Sequence, residues 1–174
     1  MSDRVVIMME GEIIQVGTPV ELYENPQDIR VAAFIGSPKI NLLEGIVLND
    51  GMVAIGDYSV ARLARHAAGA RILVGIRPEE VVIDKDRLGG VRCVVKRREY
   101  LGSELYLYLA PEGDGETLTV RASLDQARQI QDGEIVSVKP KGENVLLFDQ
   151  GGQRVKHGRD GTRSGAHERH HVAN

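Results

Sequence analysis

Two apolar runs, Arg4–Met9 (RVVIMM) and Glu12–Val16 (EIIQV), flank the short Glu10-Gly11 loop near the start of the chain. β-rich runs around a tight Gly-containing loop predict a β-hairpin, which Gly17 ends. Thr18-Pro19 supplies a helix N-cap followed by proline at the first helical position, so a short helix is expected through Val20, Glu21, Leu22 and Tyr23, stopped by Asn25-Pro26. A second helix is expected from Gln27 to Phe34: Ile29, Ala32 and Ala33 recur at helical spacing, and Val31, Phe34 and Ile35 widen the stripe. Gly36-Ser37-Pro38 breaks this helix and marks a domain boundary.

From Asn41 onward the period becomes 2. Leu42–Leu48, Met52–Ile55, Ile72–Ile76 and Val81–Ile83 predict short strands, separated by Asn49-Asp50-Gly51, Gly56-Asp57 and the Arg77-Pro78 turn, with Leu63–Ala70 as a helical or loop excursion. A second set covers Val91–Tyr100, Leu105–Leu109, Thr117–Arg121, Ile135–Val138 and Val145–Phe148, with a helical interlude at Leu124–Ile130. Alternation is clearest in Leu105–Leu109 (LYLYL) and Thr117–Arg121 (TLTVR), where one face is aliphatic and the other polar or amphipathic. Short strands at this spacing with Gly-rich turns predict a mainly β fold, a small and partly open barrel of the OB type. After Gln150 large apolar residues almost vanish, so residues 151–174 are expected to be a disordered polar tail. The organisation expected is therefore 1–36, 37–150 and 151–174.

The first 36 residues carry a conflict. An isolated hairpin is marginal in water, and an apolar edge such as VVIMM invites aggregation unless something covers it. No cover is evident in the sequence, so this segment is expected to be the tail end of a larger α/β domain, with Met1 an internal methionine of a longer protein.

Composition narrows the function classes. The 174 residues hold 22 Lys and Arg against 25 Asp and Glu, a formal charge of -3 that offers no large positive field to collect phosphate backbones. Nucleic acid is accordingly not expected as a partner. The tail holds five Lys or Arg and two Asp or Glu, a net of +3, which leaves -6 for the remainder by subtraction from -3. The single cysteine, Cys93, excludes an internal disulfide and fits a buried small hydrophobe in a reducing cytoplasm. No run approaches the roughly 18 apolar residues that span a bilayer, and the N-terminus lacks a signal-peptide pattern, so membrane association is expected only through partners.

Several apparent motifs dissolve on inspection. Val145–Asp149 (VLLFD) has the form of an apolar strand ending on a magnesium-binding aspartate, yet any buried strand ending at a turn looks the same. Gly151-Gly152-Gln153 follows that strand instead of preceding it, out of order for an ABC signature. His157, His167, His170 and His171 form no preorganised tetrahedral set, and His66 is expected at the surface. Lys96-Arg97-Arg98 is the solvated end of a strand, with a weak anion contact as its alternative. No G-x-x-x-x-G-K-[ST] occurs, so no loop of backbone N–H groups and lysine cradles a nucleotide, and no phosphoryl chemistry is expected. In Gly75–Glu80 (GIRPEE) proline fixes the backbone after a strand, and Arg77 and Glu79 offer charge-assisted hydrogen bonds that lock a barrel corner or meet a partner.

Taken together, Ser2–Met8, Gly11, Gln15–Pro19 (QVGTP), Glu21-Leu22-Tyr23, Pro26 and Phe34–Asn41 (FIGSPKIN) resemble the end of the ATPase domain and the linker in ATP-binding subunits of carbohydrate ABC importers of the maltose and glycerol-phosphate type. Gly75–Glu79 and Glu99–Glu104 (EYLGSE) resemble the transport-associated OB-fold domain that follows, and Leu147-Phe148-Asp149 with Gly152 resembles its closing strand. The resemblance covers Ser2 to Val155. It implies that 1–36 is the remnant of the ATPase domain, that 37–150 is a regulatory and dimerisation domain, and that the nucleotide motifs lie upstream. Catalytic, nucleotide-binding and metal residues are then none in this chain, with ATP and magnesium belonging to the full-length family. The structural or interface candidates it marks are Gly36, Ser37, Pro38, Asn41, Gly75, Arg77, Pro78, Glu79, Glu99, Gly102 and Glu104. Implied partners are a second copy in a homodimer, permease subunits reached through the ATPase domain, and a regulatory protein, at the inner face of the cell membrane. The Ser-Pro-Lys-Ile-Asn linker favours sugars over polyamines, iron or sulfate.

Two other classes compete. A free-standing OB module for an oligonucleotide, oligosaccharide or small oxyanion needs aromatic stacking platforms, and two Phe, five Tyr and no Trp are few. A degraded reading frame without function alone would purify as an aggregate.

Overall fold

The computed structural model describes residues 4–63, 67–86 and 89–157. The opening segment folds as its capping chemistry dictates. Strands β1 (Val5–Met9) and β2 (Glu12–Gly17) pair antiparallel around Glu10 and Gly11, both in the left-handed region with φ of 52° and 85°. Helix α1 (Pro19–Glu24) starts with a capping box: Glu21 N–H donates to Thr18 Oγ1 at 3.2 Å, and Thr18 N–H to the Glu21 carboxylate at 2.8 Å. Helix α2 (Ile29–Phe34) begins two residues later than the apolar spacing predicts, because the Asp28 carboxylate accepts the Arg30 N–H at 2.8 Å and so makes Asp28 the cap.

The remainder is antiparallel β structure. It runs β3 (Asn41–Val47), β4 (Met52–Ile55), β5 (Tyr58–Arg62), β6 (Arg71–Ile76), a 3₁₀ turn (Pro78–Glu80), β7 (Val81–Asp84), β8 (Val91–Leu101), β9 (Glu104–Pro111), β10 (Leu118–Ala122), α3 (Leu124–Arg128), β11 (Ile135–Pro140), β12 (Leu146–Phe148) and β13 (Arg154–Val155). One sheet has the order β10-β9-β8-β11-β7 and the other β13-β12-β6-β3-β4-β5. Both sheets turn their aliphatic faces into one core, where Val53, Val74 and Leu147 of one meet Cys93, Leu107 and Val136 of the other, all fully buried. Each such side chain contributes about 1.5–3 kcal/mol on burial, which makes the alternating pattern binding on the register. The result is the expected mainly β, OB-type fold.

Three expectations need correction. Strand β5 was not expected; a bulge opposite Val53 and Ala54 buries both Val60 and Ala61 and so breaks the period-2 signal. The polar tail does not begin at Gln150: β13 pairs with β12, and Asp28 bridges to Gln153, so backbone pairing orders 151–157 where apolar burial does not. Residues 158–174 lie outside the described residues, as do His167, His170, His171 and His66. Finally, the hairpin has cover within this chain on one face, where Ile7 packs with Leu22 of α1 and Val31 of α2. Its other face stays exposed, with Val6 opposite Val16 and Met8 opposite Ile13. Among the described residues no helix is long and apolar enough to cross a membrane.

Candidate functional site

The turn after β6 builds a dense polar junction. Strand β6 delivers Arg77 at its end, and Pro78 starts the 3₁₀ turn that points Glu79 back along the same side. Arg77 is only 6% exposed, yet its guanidinium reaches three main-chain carbonyls of the opening segment: Nη1 donates to Ala32 at 3.0 Å and Ile35 at 2.6 Å, and Nη2 to Tyr23 at 2.9 Å. It also lies over the Tyr23 ring, 4.0 Å from its centre. The Tyr23 hydroxyl donates to the Glu79 carboxylate. Burial, and then this bond, pushes the Tyr23 hydroxyl up to about 12. Desolvation pulls the Arg77 guanidinium below its ordinary value.

The candidates from the sequence fall around this junction and along one neighbouring sheet face. Gly36, at φ 119°, lies where a Cβ would stand 3.1 Å from Arg77 Nη1. Ser37 is exposed, and the Ser37–Pro38 bond is cis. Gly75 is buried, and a Cβ there would stand 2.8 Å from Ile40. Asn41 ties the two sheets together: its Nδ2 donates to the Thr119 carbonyl at 2.8 Å, and Thr119 N–H donates to its Oδ1 at 2.7 Å. Across β8, β9 and β10, Glu99, Tyr106 and Arg121 stand in one cross-strand row. Tyr106 donates its hydroxyl to Glu104 at 2.6 Å, and Arg121 contacts the other Glu104 oxygen at 3.3 Å. The Tyr106 bond is the main cause that holds Glu104 below the usual carboxylate range. Gly102 forms the open β8–β9 turn at φ 65°, with nothing within 4 Å of a built Cβ. The 3₁₀ turn packs on β10, so the Glu104 network adjoins the Arg77 junction, whereas Gly102 lies apart.

Both arginines of the basic cluster are engaged by neighbours: Arg97 pairs with Glu99 at 3.1 Å and lies over Tyr108 at 3.8 Å, and Arg98 pairs with Asp132 at 3.0 Å. The sequence did not mark Tyr23, Asp28, Gly90, Gly152 or Arg154 as site candidates, since their partners are distant in the chain; Tyr23 and Gly152 had a signal, in the Glu21-Leu22-Tyr23 and closing-strand resemblances.

Two observations bear on cofactors. Among the described residues no group of three His, Cys, Asp or Glu is arranged to hold a metal. A cleft of about 890 Å³ between the sheets is lined by Glu44, Asp57, Glu112, Asp114 and Glu116 with Arg92, which is itself paired to Glu112 at 3.0 Å. That mostly acidic lining repels a triphosphate at this cleft.

The buried proton holders give a pH prediction. Burial pushes the Cys93 thiol from its ordinary 9.0 up to about 12, and Tyr23 moves from 10.0 to about 12. Above pH 9 the unfolded chain releases protons that the folded chain retains, so stability is whole below pH 9 and falls as pH rises towards 12. Urea midpoints measured from about pH 8 to about pH 11 should decline, less steeply in Cys93→Val and, above pH 10, in Tyr23→Phe. A flat wild-type profile would contradict the placement of both groups.

Comparison with known proteins places this architecture. Residues 74–148 match the TOBE domain and residues 36–81 the MalK OB fold domain. Residues 36–148 thus carry a MalK-type OB fold followed by a TOBE domain. The chain's relatives include import ATP-binding proteins. The sn-glycerol-3-phosphate import ATP-binding protein of Escherichia coli is 36% identical over 159 residues, 89% of this chain and 44% of that protein. The trehalose/maltose import ATP-binding protein of Thermococcus litoralis is 33% identical over 164 residues, 86% of this chain and 43% of that protein. The spermidine/putrescine import ATP-binding protein of Pseudomonas aeruginosa is 38% identical over 157 residues, 84% of this chain and 42% of that protein. The chain thus spans under half the length of these relatives. Its matched domains contain Gly36, Ser37, Pro38, Asn41, Gly75, Arg77, Pro78, Glu79, Glu99, Gly102 and Glu104.

Proposed function

We propose that this chain is the regulatory and dimerisation part of the ATP-binding subunit of an ABC importer for carbohydrates, and is not an ATPase by itself. The observation that carries this is the homology to import ATP-binding proteins over 84–89% of the chain, combined with the lack of any phosphate-loop motif in the sequence. Residues 1–36 are assigned to the end of the ATPase domain, 37–150 to the regulatory domain. The exposed row of Val6, Met8, Ile13 and Val16 supports that assignment, since an apolar hairpin face of this kind is normally covered. Carbohydrate specificity rests on Ser37–Asn41; the polyamine relative shares a similar degree of identity, so identity alone does not divide the two classes.

In this assignment the domain self-associates, the permease subunits are met through the ATPase domain, a regulatory protein is a further partner, and the subunit works at the cytoplasmic face of the membrane. Isothermal titration with Mg-ATP is expected to give no binding heat, and sedimentation equilibrium a monomer–dimer equilibrium. Stoichiometric ATP binding would overturn the assignment of nucleotide chemistry to another segment. A strict monomer at high concentration would overturn the dimerisation role. Acid networks already closed by their own arginines also weigh against a free-standing oligonucleotide or oxyanion module.

A further inference from the structure

Helix α2 is held by the barrel at both ends, and the two attachments differ in kind. At its start the contacts are backbone bonds, close packing and a bond from Gln153 Nε2 to the buried Asp28 carboxylate at 3.1 Å. Ile29 N–H donates to the Gly152 carbonyl at 2.8 Å, and Arg154 N–H donates to the Gln27 carbonyl at 2.9 Å. A Cβ on Gly152 would stand 2.7 Å from Ile29 Cγ2, so the two segments touch. Along its length Ala32 is buried with Ile40 and Phe148.

At its far end the attachment is one charged side chain. Arg77 holds Tyr23, Ala32 and Ile35 with its two terminal nitrogens, while Nε finds no acceptor among the described residues. Those acceptors are carbonyls, not carboxylates, and the nearby Glu79 is engaged by the Tyr23 hydroxyl. A charge taken out of water must recover its hydration from its partners, and an incompletely satisfied one recovers only part. Beside it lies a cleft of about 390 Å³, lined by Tyr23, Arg77, Glu79, Glu80, Asn144 and Arg154. Opening this end rehydrates the guanidinium, which offsets the loss of its carbonyl bonds and of the Tyr23 ring contact. Opening the other end breaks Phe148 packing with no such return.

We propose that Arg77 is a releasable latch between the barrel and the opening segment. Closed, it fixes α1 and the end of α2 on the 3₁₀ turn. Open, it lets the hairpin and α1 move about the pivot where Asp28 and Ile29 meet Gly152 and Gln153, with the barrel still folded. In an ATP-binding subunit this latch would couple the ATPase domain to the regulatory domain, a consequence that rests on the function proposed above; the latch itself does not.

Hydrogen exchange by mass spectrometry on the full chain separates the two. In Arg77→Met, peptides covering 19–36 are expected to exchange about tenfold faster or more, while peptides from β6 and from 104–122 stay within about twofold of wild type. Tyr23→Phe, which removes only the bond to Glu79, is expected to give a smaller rise confined to the same segment. Unchanged exchange over 19–36 in both variants would overturn the latch. So would an equal rise in the barrel peptides, or global unfolding of Arg77→Met, since Arg77 would then be a keystone of the whole fold. These outcomes are independent of ATP binding and self-association.

Discussion

Gly90→Ala is expected to lose about 2–6 kcal/mol of unfolding free energy, combining about 1–3 for backbone strain with about 1–3 for overpacking. Gly90 opens the approach to β8 at φ 102°, where an L side chain is strained, and a built Cβ would stand 2.3 Å from the Val138 carbonyl oxygen and 3.0 Å from its carbon. Neither atom can give way, because Val138 is a buried member of β11 paired on both sides. The same residue sutures the sheets: its N–H donates to Asp57 Oδ1 at 2.6 Å, and its carbonyl closes on Gly56. Gly102→Ala is the control, since Gly102 also has positive φ but open space, and it is expected to cost about 1–2 kcal/mol. Urea denaturation of both variants checks this. Equal losses would mean that the contact with Val138 has no energetic weight.

Phe148→Ala is expected to cost about 3–5 kcal/mol, the range for truncating a fully buried phenylalanine. Phe148 is the largest fully buried side chain, and it packs with Ala32 of α2 and Ile40 of the linker. It therefore joins the opening segment to the barrel as well as filling the core. Out of a typical total of about 5–15 kcal/mol, such a loss leaves a marginal chain. Besides a lower urea midpoint, Phe148→Ala should free α2 at its start, where Arg77→Met frees it only at its end. A loss under about 1 kcal/mol would show that the surrounding groups collapse onto the space.

Local chemistry was legible where neighbours in sequence are neighbours in space. Thr18-Pro19 with Glu21 announces a capping box, Glu10-Gly11 a hairpin turn, and Leu105–Leu109 a strand with one face in the core. The OB-type architecture follows from many such strands, and the candidate residues Arg77, Glu79, Asn41 and Glu104 were marked by their motifs. What Arg77 does was not legible, because its three acceptors lie 42–54 residues earlier in the chain and are main-chain oxygens, which no side-chain pattern encodes. Glu99 and Gly102 carried the same kind of mark, yet they stand at the β8–β9 hairpin away from that contact.

By itself, then, the sequence determined the periodicity, the caps, the turns and the absence of a phosphate loop, since these depend on residues within a few positions of one another. Only the tertiary structure decided that Gly152, Gln153 and Arg154 order the start of the polar tail, that Gly90 must be glycine beside Val138, and that one buried guanidinium fastens the helices to the barrel. Each of these depends on a backbone group brought close by folding, and a backbone is chemically the same at every position until the fold chooses its neighbour.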